Sequence, residues 1–359
     1  MTHRERFLAT MRYQTVDRVP FRDGGAWPET IERWKREGYD PQHPPFQSDH
    51  WEGFGHWFFP NPPFEREVVE EDGHTVTFVN AEGILMRERK DYPASSMPQF
   101  VRFPVETRAD FRKFWRERMQ PDMAGRIGAD WQQRLDHYRE RDFPLVVIAD
   151  RWGGFFGPLR NLLGVENLCT TFLTDPAFLE EMMDAVADFV IQVAGRILDH
   201  TSVEFFGLWE DMAYKTGPLI GPDMVRKYML PRYRRVVEFL RGRGVEFISL
   251  DSDGDISSLI PVWLDAGINV LYPFEVQCGM DVAKVRREYG RDLRLLNGIN
   301  KYAIAQGARA IDAELARVRP LIEDGGYIPG PDHSLPPDVS FANYCYFMER
   351  LREVIGVRD

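Results

Sequence analysis

Residues 245–275 read VEFISLDSDGDISSLIPVWLDAGINVLYPFE. An apolar run, 245–250, stops at Asp251, Asp253 and Asp255. A helical pattern follows over 256–266. A second apolar run, 268–272, stops at Pro273-Phe274-Glu275. Two short, near-continuous apolar runs on either side of one helix predict parallel strands joined by a crossover, each strand buried on both faces.

The same unit recurs outward. Apolar runs stand at 145–148, 203–208 and 293–296, and a last segment at 327–330. Helical patterns lie at 176–200, 222–241, 280–289 and 308–323. Such alternation fits an open doubly wound sheet or a closed barrel. No GxGxxG follows an early strand and no GxxxxGK[ST] occurs, so the expected fold is α/β, a distorted (β/α)8 TIM barrel. Residues 4–13 predict an amphipathic helix, and VDRVPF at 16–21 a short strand. Residues 23–65 carry many Gly, Pro and aromatic residues, which break each run. They read as an N-terminal excursion with one helix at 28–37 and aromatics that pack. Residues 66–90 hold two β-rich runs with turn signals at Asp72-Gly73 and Glu82-Gly83, a small β-hairpin insert. Residues 105–140 read as polar and helical. The whole of 1–359 is expected to form one barrel domain.

Composition narrows the partners. The chain has 359 residues, 43% of them hydrophobic, enough to bury about three quarters of its unfolded surface. Its 45 basic and 56 acidic residues give a net charge of −11, which argues against nucleic acid and anionic membrane surfaces. Three cysteines, Cys169, Cys278 and Cys345, lack CxxC spacing. That excludes a disulfide framework or an all-cysteine metal site and suits a reducing compartment. The charged N-terminus and the absence of long apolar stretches predict a cytoplasmic protein with no membrane span.

In a barrel the chemistry sits at the C-terminal ends of the strands. Here these ends read Asp150-Arg151-Trp152, Trp209-Glu210-Asp211, Asp251-Ser252-Asp253, Phe274-Glu275, Asn297-Gly298-Ile299-Asn300 and Pro331-Asp332-His333. Asp255 and Asn300 suit helix caps. The other acids would share one mouth and repel unless a cation joined them, with Lys215, Arg151, Arg22 or a metal as candidates. Residues two apart at a strand end point the same way, so Asp251 and Asp253 can converge. With His333 they offer an O/O/N set for a divalent metal, zinc foremost. The alternative is a cap plus an ion pair to Lys215 or an arginine. Lys215 itself reads as a partner of Glu210 or Asp211, and Cys278 as a small core or loop residue.

Five segments together resemble the uroporphyrinogen decarboxylase superfamily: RERFLATMRYQTVDRVPF (4–21), WEDMAYKTGPLIGPDMVRKYMLPRY (209–233), the stretch 250–290, NGINKYAIAQG (297–307) and GGYIPGPDHSLPPDVSFANY (325–344). The resemblance covers nearly the whole chain and implies a distorted (β/α)8 barrel. It also implies one of two chemistries. The decarboxylase branch carries Arg-Gln-Ala-Gly-Arg-Tyr after its first strand. This chain has Phe21-Arg22-Asp23-Gly24-Gly25-Ala26-Trp27 there, so only Arg22 remains to bind a carboxylate. The zinc methyltransferase branch has His-x-Cys-Gly and a later Cys. The corresponding places read Asp251-Ser252-Asp253-Gly254 and His333.

The resemblance therefore implies a methyltransferase-like enzyme with harder ligands. A small methoxylated or methylated substrate would pass its methyl group to a corrinoid protein. A metal held by Asp251, Asp253 and His333 would act as Lewis acid. Glu210, Asp211 and Lys215 form the candidate catalytic group. Arg22, Trp209, Tyr214, Tyr272, Glu275 and Asn297 would contact substrate. A homodimer suits the fold. The competing readings are cofactor-free decarboxylation of uroporphyrinogen and a metabolite-binding barrel without catalysis.

Overall fold

The computed structural model describes residues 1–91 and 98–357. Seven parallel strands form its central sheet, in chain order and each beside the next: β1 (Glu52–Phe54), β2 (Leu145–Ile148), β3 (Phe205–Trp209), β4 (Phe247–Asp251), β5 (Val270–Tyr272), β6 (Arg294–Leu296) and β7 (Tyr327–Ile328).

Side-chain alternation gives the sheet an inside and an outside. Leu145, Val147, Phe206, Leu208, Ile248, Leu250 and Leu271 join the large core beneath the outer helices. The intervening Val146, Phe205, Phe247, Val270 and Ile328 form a second, inner core. Phe7 and Met11 of the helix His3–Met11 plug that inner core. The Phe7 ring meets Trp51 and Phe247 edge-on, at 5.0 and 5.8 Å. A capping box from Thr2 and Glu5 starts this helix. One end of the barrel is thus closed with apolar side chains, and polar chemistry is left to the strands' C-terminal end.

Four expectations need correction. Residues 16–21 form no strand: Pro20 has no N–H, and the Phe21 amide donates to the Asp49 carboxylate at 2.8 Å. Nearby, an isolated parallel bridge joins Ala26 to Leu335. The 23–65 segment supplies β1, a three-residue strand with glycine at its centre and hence no apolar run. The insert is larger than a hairpin, a four-stranded antiparallel sheet of Glu67–Glu71, Thr75–Val79, Leu85–Arg89 and Gln99–Arg102. Its Glu82 accepts the Trp152 indole N–H at 3.0 Å, tying it to the barrel. The helix read over 222–241 contains a π turn, Val225–Met229, just before Pro231, which has no N–H to give to a regular turn. No helix among the described residues is long and apolar enough to cross a membrane.

Candidate active site

Register alone sets one level of the barrel mouth. Asp251 pairs with Trp209 on one side and Tyr272 on the other. All three share the inward parity of Phe205, Phe247 and Val270. The Tyr272 hydroxyl lies 3.7 Å from the place a Cβ on Gly207 would take, so its ring reaches across the interior. Trp209 lies against Gly157, where a Cβ would come within 2.4 Å of the indole. Glycine here is a packing requirement. The guanidinium groups of Arg160 and Arg151 lie over the same ring at 4.8 and 5.7 Å.

A second level lies just beyond. Asp253 leaves β4 on a loop turned by Gly254, at φ +85°, where a Cβ would meet the Ala213 carbonyl at 2.6 Å. Glu275 braces that loop: one oxygen accepts the Gly254 N–H at 3.2 Å, and the other faces the Lys301 ammonium at 3.0 Å. Asp332 is fully buried and accepts the backbone N–H groups of Val276 (2.8 Å) and Lys301 (3.0 Å). This network sets the chain on either side of His333, whose Nε2 stands 3.4 Å from an Asp253 oxygen. Trp27 stacks on the imidazole, 5.3 Å between centroids. The Ser334 N–H donates to Nδ1 at 2.8 Å, so the ring proton belongs on Nε2, toward Asp253. The ring's hydrogen bond to the Asp253 carboxylate raises the His333 pKa above its usual value, against the opposing effect of burial.

The catalytic trio expected from the sequence does not converge. Glu210 is fully buried and its oxygens are taken by the N–H groups of Phe155 (2.7 Å) and Gly157 (3.0 Å) and by the Tyr233 hydroxyl (2.5 Å). It anchors the start of the helix Phe156–Leu163, where its charge meets the helix dipole. Burial pushes its pKa up to about 7. Asp211 is bound by Arg160, 2.7 Å to the carboxylate and 2.7 Å to its carbonyl. Burial raises its pKa, and Arg160 opposes that rise. Lys215 lies exposed in the turn of a two-stranded hairpin beside exposed Tyr214, so its expected pairing with Glu210 or Asp211 is replaced by these contacts. Tyr214 belongs to the rim and not to the wall.

Among the expected substrate contacts, Trp209 and Tyr272 face the interior. Glu275 instead serves the Asp253 loop. Asn297 sits at φ +70° in a turn, its side-chain oxygen close to Gly330, which is a structural place. Arg22 lies over the Trp51 ring at 4.4 Å, and burial lowers its pKa. The Asp150 side chain lies outside the described residues. Cys278 contacts Glu275 at 3.6 Å, and burial pushes its thiol up to about 11, which is no nucleophile.

The expected metal set does not fit. Among the described residues no three His, Cys, Asp or Glu side chains group as ligands. The imidazole explains part of this: a ligating nitrogen must be bare, with the other ring nitrogen donating outward. In His333 the Ser334 amide imposes the reverse arrangement.

Sequence reasoning missed Trp27, Arg160 and Lys301, and placed Asp332 only among the strand-end acids. Lys301 carried a signal, since it follows the capping Asn300. Trp27 and Arg160 carried none, because neither is at an apolar strand end.

Comparisons with known proteins bear on the family and the fold. A family model described as uroporphyrinogen decarboxylase (URO-D) matches residues 135–354. A methylated-thiol–coenzyme M methyltransferase from Methanosarcina mazei is 25% identical over 166 residues, 46% of this chain and 42% of that protein. The chain's match thus spans less than half of that relative's length. The solved structure of a methyltransferase from Methanosarcina mazei aligns over 98% of this chain and 99% of its own, with TM-score 0.58 and 16% identity, and shares the fold. Barrel, strand-end motifs and family match lead to one assignment: the chain belongs to the uroporphyrinogen decarboxylase family.

Proposed function

We propose that the chain moves a methyl group between a small methylated substrate in the barrel mouth and a corrinoid carried by a partner protein. The contact between Asp253 and His333 carries this reading. When a methyl group leaves as a cation equivalent, negative charge develops on the heteroatom it leaves. The Nε2–H of His333 is a donor placed to hydrogen-bond that charge. Asp253 favours the protonated ring; in that form Nδ1 also carries a proton and gives up the Ser334 N–H, and the Nε2 proton can pass to the heteroatom to leave a neutral imidazole. The heteroatom–methyl bond breaks, a heteroatom–hydrogen bond forms, and the corrinoid, when bound, accepts the methyl group. Trp209 and Tyr272 wall the substrate, Asp251 faces it at their level, and Trp27 covers the imidazole. Arg160 keeps Trp209 and Asp211 in place.

The rim supports a docking partner. Tyr214, Leu219 and Tyr302 are 62%, 38% and 41% exposed, in the segments that follow β3 and β6, and would meet a partner docked over the mouth. The relatives' methyltransferase names point the same way.

The test offers a reduced free corrinoid with a methoxylated phenol, a methylated thiol and a methylated amine, and follows the corrinoid's absorbance. Methylation from at least one donor is expected. Release of carbon dioxide from uroporphyrinogen, with no methyl transfer from any donor, overturns the reading.

A further inference from the structure

The strand-end network beside Asp253 holds a cation among its acids. Lys301 is the first residue of the helix Lys301–Gln306, and only 10% of its side chain is exposed. Its ammonium lies 3.0 Å from Glu275. The other Glu275 oxygen takes the Gly254 N–H and the Cys278 thiol. Asp332 spends both oxygens on backbone N–H groups, one of them that of Lys301. Asp253 faces the Nε2 of His333, and Nδ1 is taken by Ser334. Glu275, Asp332 and His333 thus all direct lone pairs at protein donors. Acids gathered at one barrel mouth repel without a cation among them. In this network the cation is the lysine.

We propose that the Lys301 ammonium is the built-in cation of this mouth. It takes the charge position that a divalent metal would otherwise fill, braces the Asp253 loop through Glu275, and lets the site work without bound metal. Its activity arm rests on the methyl-transfer reading; its metal-binding arm stands without it.

The experiment titrates zinc by calorimetry into metal-stripped full-length protein, as wild type, Lys301→Met and Lys301→Arg. Wild type and Lys301→Arg show no saturable site. Lys301→Met, with Glu275 left uncompensated, gains about one site per chain, at least about tenfold tighter than any binding by wild type. One-to-one zinc binding by wild type that is lost in Glu275→Gln overturns the proposal. A folded Lys301→Met that binds no better than wild type also overturns it. Should Lys301→Met fail to fold, Lys301→Gln is read by the same criteria. In the activity arm, turnover survives chelation; turnover lost on chelation and restored by zinc contradicts the proposal. Absence of methyl transfer from every donor counts against the methyl-transfer reading alone, and the titration still decides the role of Lys301.

Discussion

The ends of β3 and β4 look alike in sequence and serve opposite purposes. Each apolar run stops at two acids, Glu210-Asp211 and Asp251-Ser252-Asp253. At β3 the chain turns at Asp211, φ +41°, and Glu210 is driven outward, beneath a helix start and against Tyr233. At β4 Gly254 turns the loop, and Asp253 stays in the mouth opposite His333. An acid beyond a strand end therefore reaches the mouth only when the following loop returns it there, whereas Asp251, still on the strand, faces it by register. The first pair is held by buried and ion-pair contacts, and the second stays at the mouth.

The strongest way to break this comparison is to truncate both acids and measure stability. Glu210→Ala leaves two backbone N–H groups and a tyrosine hydroxyl without their buried acceptor, and denaturant unfolding should show a loss of about 3–5 kcal/mol. Asp253, with 34% of its side chain exposed, should cost less than about 1 kcal/mol when changed to Ala. Equal losses would erase the distinction.

A second prediction concerns pH. The Glu210 carboxyl holds its proton to about 7, against an ordinary value of 4.5. Between those values the unfolded state binds fewer protons than the folded state, so stability falls as pH rises from about 5 to about 7, by up to about 3 kcal/mol. Glu210→Gln, which mimics the protonated form, should flatten that slope in the same unfolding measurement. A slope unchanged in the variant would assign it to another group.

The smallest expected effect sharpens the other side of the comparison. Trp27→Ala removes the stacking that holds His333, worth about 1 kcal/mol, and should lower kcat roughly fivefold with little change in KM. A rise in KM alone would place Trp27 in substrate binding and not in the support of His333.

Much of the barrel was legible because its strands are apolar runs on both faces. The run at 145–148 matches β2 at both ends, and those at 203–208, 245–250, 268–272 and 293–296 match β3 to β6 within two residues. β1 was not legible, because Glu52-Gly53-Phe54 has no apolar period and is a strand only by pairing with β2. The site was half legible. Trp209, Asp251 and Tyr272 follow from register, which sequence parity carries. Asp253 and His333 were marked as a pair of chemical groups, but as metal ligands. Their contact depends on Glu275, Lys301 and Asp332, which join loops far apart in sequence. Glu210 and Lys215 went wrong for one reason: the fate of a polar residue after a strand is decided by what packs over it.

The most direct test of the account compares kcat for methyl transfer to the corrinoid in Asp253→Asn, His333→Gln and Glu210→Gln, each at a temperature where it is fully folded. The account predicts a fall of about 10²- to 10⁴-fold in the first two, and a value near wild type in the third. Loss of turnover in Glu210→Gln alone, with Asp253→Asn and His333→Gln active, would contradict it.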